Sequence, residues 1–285
     1  MAELADALDS GSSGRKAVQV QVLLSAPSKR PSTTIDGLLL REICDILLIK
    51  IFHGLELNRV HNRAYIIIHG FGGGLNEIEY LKEYLFKHDI SAQSVLLAGH
   101  GSTKKELSKS TYMDWIQSGD RALVKVKNEY DSVALIGFSM GGLVCTYLEN
   151  QHKVDRLVLI NTPVYFWNIK VIFKSLFYDI KHRRCDNISY YKKAVFGTPI
   201  RSCIQFLRML TKSKKLFQNI ACPTLIIQCL NDESVKPKSA AFIESKIKSD
   251  VTLKYYKGGC HQVFSKTNDC RKNICYDILC FVNQP

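Results

Sequence analysis

Ser139 stands in Gly137-Phe138-Ser139-Met140-Gly141, a G-x-S-x-G pentapeptide. It ends the apolar run SVALIGFS (132–139) and precedes the helical pattern MGGLVCTYLENQH (140–152). Strand, tight turn and helix form the setting in which this pattern presents a serine as a nucleophile. Glycines on either side let the two elements approach closely, and the hydroxyl then projects above a helix N-terminus that favours developing negative charge. A serine hydroxyl is a weak nucleophile without a base. Of the eight histidines, His261 in KGGCHQVF follows the last strand pattern in a glycine-bearing loop. His53, His61, His88, His152 and His182 fall in tails, helices or an insertion, where a surface role suffices. An imidazole acting as base needs a carboxylate to fix its tautomer. Asp232 in CLNDESVKP supplies one, with Glu233 as its neighbour and competitor. An oxyanion would need two N–H donors. Met140, directly after the serine, supplies one, and Phe71 in IIIHGFGGG (66–74) the other, with His69 and Gly70 shaping that loop. The same loop lacks the lysine and the glycine spacing of a phosphate-binding loop.

These residues need a scaffold, and the hydropathy pattern describes one. AYIIIHG (64–70), SAQSVLLAG (91–99), SVALIGFS (132–139), RLVLIN (156–161), PTLIIQCL (223–230) and VTLKYY (251–256) read as strands. Most are continuous apolar runs, as in parallel strands covered on both faces. Helical spacing fills 76–89, 111–130, 140–152, 236–248 and 266–282, and Thr111 with Asp114 forms a capping-box pattern. The expected fold class is α/β, an open and mostly parallel sheet with helices on both faces. Alternation breaks once, over about 163–220, an aromatic, basic and mostly helical insertion expected to form a cap over the C-terminal strand edge. Phe166, Trp167, Phe173, Phe177 and Tyr178 in it are candidates for an acyl pocket or for the core of the cap itself.

The 285 residues carry a formal charge of +13. The insertion holds twelve Lys/Arg against Asp179 and Asp186, so most of the surplus is concentrated there. A basic face of this kind suits solubility or weak contact with anionic lipid. No nucleic-acid signature accompanies it, and no apolar run reaches the length of a membrane span. The ten cysteines lack metal-ligand spacing, and with no export signal they are expected as free thiols in a cytoplasmic protein. Residues 1–37 have no helical or strand period. They are expected to be a disordered or spurious extension, leaving 38–285 as the domain. Residues 1–27 resemble the conceptual translation of a bacterial leucine tRNA gene.

HGFGG, LLAGHG (96–101), DWIQSGDRAL, GFSMGG, CPTLIIQCLNDESVKP and GGCHQVF together resemble the bacterial carboxylesterase and monoacylglycerol-lipase-like branch of the α/β-hydrolases, over roughly residues 56–283. The chain order Ser139, Asp232, His261 is also that of the family. The resemblance implies Ser139 as nucleophile, Asp232 and His261 as its partners, and Phe71 and Met140 as oxyanion donors. It implies hydrolysis of esters with short or medium acyl chains, or of monoacylglycerols, without metal or cofactor. Cys260 departs from it, standing where the family often has serine or another small residue. The same residues would also serve a thioesterase, an amidase or a C–C hydrolase, and the fold alone is compatible with a non-catalytic receptor.

Overall fold

The computed structural model describes residues 63–166, 177–179, 181–183, 185 and 198–284. The expected N-terminal extension and the aromatic candidates Trp167 and Phe173 lie outside the described residues. Six strands form one sheet in the order β2-β1-β3-β4-β5-β6. They are β1 (Arg63–Ile68), β2 (Ala92–Val95), β3 (Ser132–Phe138), β4 (Arg156–Ile160), β5 (Thr224–Cys229) and β6 (Val251–Tyr256). Every pairing is parallel. All C-terminal strand ends therefore open on one edge, where ligands bind in sheets of this kind.

The helices with fully described bounds are α1 (Glu79–Phe86), α2 (Lys104–Lys109), α3 (Tyr112–Lys127), α4 (Met140–His152), α5 (Ile200–Leu216), α6 (Lys238–Lys246) and α7 (Arg271–Val282). Alternate residues along each central strand feed two separate cores. Ile66, Ile68, Leu135, Leu157 and Leu159 pack with α3, α4 and α6. Tyr65, Ile67, Ile136, Val158 and Ile160 pack with α1 and α7. Both faces are thus dry, which is why the strands read as unbroken apolar runs.

Two elements differ from the sequence pattern. The apolar run at 91–99 is a strand only to Val95. Beyond it the N–H of Leu97 donates to His69 Nε2 and that of Ala98 to Ser118 Oγ, so the chain leaves the ladder to bond the loop after β1 and helix α3. Helix α2 is too short and polar to show apolar periodicity, and is held by the Thr103 cap on the Glu106 N–H. The Thr111–Asp114 capping box opens α3 with both reciprocal bonds made. Within the long stretch between β4 and β5, α5 buries Gln205, Met209, Leu210 and Ser213, and Ser202 Oγ donates to the Leu107 carbonyl.

Candidate active site

The turn after β3 is a strained point of the sheet edge. Ser139 has φ 52° and ψ −121°, a conformation that non-glycine residues rarely hold and that must be imposed by its surroundings. Its N–H donates to the Ile160 carbonyl at 2.8 Å, tying the turn to β4. The flanking glycines are there for space. A Cβ on Gly137 would stand 2.5 Å from Gly142 Cα, and one on Gly141 would stand 2.2 Å from the Ile68 carbonyl oxygen. Helix α4 starts at Met140, so the N–H groups of its first turn face the space above the serine.

The loop expected to hold the second oxyanion donor follows β1. His69 is wholly buried, and its Nε2 accepts from the Leu97 N–H. Its proton must therefore sit on Nδ1, which donates to the Gly70 carbonyl at 2.8 Å. Burial pulls this imidazole down to about 4, so it is a neutral brace for the loop. A Cβ on Gly70 would lie 3.3 Å from Ser139 Cβ, which brings the Phe71 loop against the turn. Among the described residues no hydrogen bond takes up the N–H of Phe71 or of Met140. The ring of Phe71 stacks on Phe206 of α5, with centroids 5.1 Å apart, and Phe166 meets Phe206 edge-on at 6.4 Å. Of the other aromatic candidates, Phe177 and Tyr178 are exposed.

Asp232 and His261 are brought into direct contact. His261 Nδ1 donates to Asp232 Oδ2 at 2.8 Å, and Asp232 has no exposed surface. The other carboxylate oxygen, Oδ1, accepts the N–H groups of Ser234 and Val235 at 2.8 and 2.7 Å. Asp232 is thereby fixed by its own loop before it meets the imidazole. Glu233, the competitor in sequence, takes a different place: its Oε2 accepts the backbone N–H of His261 at 3.2 Å. Burial pulls the His261 ring down, but the Asp232 charge and hydrogen bond, then Glu233 and Glu77, outweigh it and carry the ring up to about 9. The ring lies 5.4 Å from that of Phe138, the residue before the serine. Among the described residues Ser139 Oγ makes no hydrogen bond to His261. Bonds of this kind often close only in the complex with substrate.

Two residues at this edge escaped the sequence pattern. Asn161, buried and at φ 45°, accepts the Cys229 N–H on Oδ1 at 2.8 Å and donates Nδ2 to the Cys260 and His261 carbonyls. Glu77 Oε2 accepts the Gly70 N–H and its Oε1 accepts Gln262 Nε2. Neither belongs to a recognisable motif, because the Asn161 side chain bonds residues 68 to 100 positions away and Glu77 joins nearby Gly70 to Gln262, 185 positions on. An asparagine closing the strand pattern RLVLIN was the one available hint, since asparagine tolerates positive φ. Among the described residues no cluster of His, Cys, Asp and Glu could hold a metal ion, and the nine described cysteines are free.

Residues 66–179 match a family model described as alpha/beta hydrolase fold, and residues 181–268 match one described as serine aminopeptidase, S33. A thermostable monoacylglycerol lipase of Bacillus sp. (strain H-257) is 27% identical over 195 residues, 65% of this chain and 76% of the lipase. A carboxylesterase of Bacillus subtilis (strain 168) is 22% identical over 227 residues, 76% of this chain and 92% of the esterase. Among solved structures, one described under "LipS and LipT, two metagenome-derived lipolytic enzymes" superposes with a TM-score of 0.64 at 19% identity, over 78% of this chain and 93% of that one.

Proposed function

Because the chain belongs to the α/β-hydrolase family, we propose that it hydrolyses carboxylic esters through Ser139, His261 and Asp232 by way of an acyl-enzyme. The observation that carries this reading is a buried Asp232–His261 pair on the same sheet edge as a serine held at φ 52°. Asp232 accepts the Nδ1 proton, which leaves Nε2 as the basic nitrogen. His261 Nε2 takes the Ser139 proton as Oγ bonds to the ester carbonyl carbon. The carbonyl oxygen becomes an oxyanion facing the N–H groups of Phe71 and Met140. The C–O bond to the alcohol breaks as the imidazolium returns the proton to the leaving oxygen. Water then attacks the acyl-enzyme with the same base, releasing the acid and restoring Ser139.

The relatives named as a monoacylglycerol lipase and a carboxylesterase support carboxylic esters, monoacylglycerols included, as the substrate class; short or medium acyl chains are the proposed range. The aromatic row Phe71, Phe206, Phe166 offers the acyl chain an apolar wall next to the oxyanion loop. The insertion over about 163–220 is the proposed cap above it. Nothing in the chemistry calls for a metal or cofactor. A second reading, amide hydrolysis by the same residues, draws on the match of residues 181–268 to the serine aminopeptidase model.

Hydrolysis of p-nitrophenyl esters from acetate to palmitate, wild type beside Ser139→Ala, tests the proposal. The expected outcome is turnover in the wild type that falls by several orders of magnitude in the variant. Equal activity in the two would remove Ser139 from the mechanism. Activity on p-nitroanilides alone would favour the amide reading.

A further inference from the structure

The acyl transfer described above uses one carboxylate, yet three surround His261. Asp232 accepts the Nδ1 proton and Glu233 the backbone N–H, both from the loop after β5. Glu77 comes from the opposite side, at the end of the 3-10 turn Leu75–Glu77 that follows the Phe71 loop. Its carboxylate folds back over Gly73, where a Cβ would stand 2.1 Å from it. Oε2 accepts the Gly70 N–H at 3.1 Å, and Oε1 accepts Gln262 Nε2 at 3.4 Å. Gly70 directly precedes Phe71, and Gln262 directly follows His261. One side chain therefore joins the two loops that the reaction must keep in register.

We propose that Glu77 is a positioning residue, an ionised strut that holds the oxyanion-donor loop and the histidine loop in a single frame. The proposal rests on the reading of Ser139 and His261 given above. Both of its partners donate N–H groups here, and a carboxylate accepts from both at once; a glutamine at 77 would keep both bonds only if the Gln262 amide turned over to accept. The negative charge has a second use. During acyl transfer His261 becomes an imidazolium, and Glu77 is among the anions facing it, with Asp232 and Glu233. The neighbouring Cys260 thiol adds no competing charge, because burial pushes it up. Burial also raises the Glu77 carboxyl, while the Gln262 and Gly70 bonds and the His261 ring oppose that rise.

The test is the pseudo-first-order rate at which a fluorophosphonate modifies Ser139, followed across pH, with thermal melting of each protein alongside. This readout needs no knowledge of the natural ester. Glu77→Gln is expected to lower the plateau rate about tenfold, as loss of a charge-assisted bond allows. It should also move the acid limb to lower pH, because the imidazolium loses one anion. A merely structural role would shift the melt but not that limb. Adding Gln262→Ala to Glu77→Gln should cost little more, since both changes cut the same bridge. A plateau within twofold of wild type with an unmoved limb overturns the proposal. If Glu77→Gln does not fold, Gln262→Glu decides: it sets two carboxylates against each other, so a slower plateau supports the strut and an unchanged one overturns it. Failure of the wild type to react overturns the Ser139 reading, and this role with it. A wild type that reacts beside an indifferent Glu77→Gln overturns this role alone.

Discussion

In the proposed mechanism His261 decides the pH behaviour, because it must be neutral to act as base. Burial works against its charged form, but the Asp232 contact and the charges of Glu233 and Glu77 carry it up to about 9. Activity at fixed substrate should therefore climb with pH and reach half its plateau near 9, whereas stability responds from about 6.5, the ordinary imidazole value, upward. Stability runs the other way. A histidine raised in the folded state contributes its full stabilisation below the unfolded value, and loses it as pH rises through the folded one. Melting temperature should fall with rising pH while kcat/KM rises, and parallel pH series of the two would show it. Asp232→Asn should lower kcat by about 10⁴ at neutral pH and remove most of both trends. A kcat within tenfold of wild type would detach Asp232 from the base. The three residues proposed for this chemistry stand out in sequence because each lies at or soon after the end of a strand pattern, Ser139 in the turn after β3 and Asp232 and His261 in the loops after β5 and β6. Glu77 does not, because its meaning lies in Gly70 and in Gln262, which is 185 residues away.

Elements carry the geometry that those residues use, and Asn161 shows how. It follows β4, and its N–H donates to the Ile227 carbonyl of β5 at 2.8 Å. Its side chain takes the N–H of Cys229, the last residue of β5, and reaches the carbonyls of Cys260 and His261. The loops after β5 and β6, which bring Asp232 and His261 together, are thereby pinned to a common point. Asn161→Ala would leave the buried Cys229 N–H without its acceptor, at a cost of about 1–3 kcal/mol. We expect a lower melting temperature, and a fall in kcat larger than any change in KM. A variant that melts lower but keeps wild-type kcat would limit Asn161 to stability. The strands themselves were readable, since burial on both faces demands unbroken apolar runs. The early end of β2 was not, because side chains from elsewhere, His69 and Ser118, take the N–H groups that would have continued the ladder.

At the scale of the whole molecule the charge is uneven, and α5 gives part of it a direction. Ile200, Ile204 and Leu207 are exposed at helical spacing, with Ile200 79% accessible. Arg201, Arg208, Lys212 and Lys215 form the adjoining row, also exposed. The opposite face of the helix is in the core, so this stripe looks outward. Apolar residues beside a row of cations match the boundary of an anionic bilayer, where each cation near the surface contributes about 1 kcal/mol. Among the described residues no helix, α5 included, is long and apolar enough to cross a membrane. Sedimentation with vesicles should therefore show binding to phosphatidylglycerol and little to phosphatidylcholine. Raising the ionic strength to about 1 M, where the Debye length is about 3 Å, should release the protein. The double change Arg201→Glu and Arg208→Glu should weaken binding while leaving hydrolysis of soluble p-nitrophenyl acetate intact, since neither residue touches the Ser139 turn. Equal binding to neutral and anionic vesicles would assign the contact to the isoleucines alone, and no binding to either would leave the basic row as a solubility device.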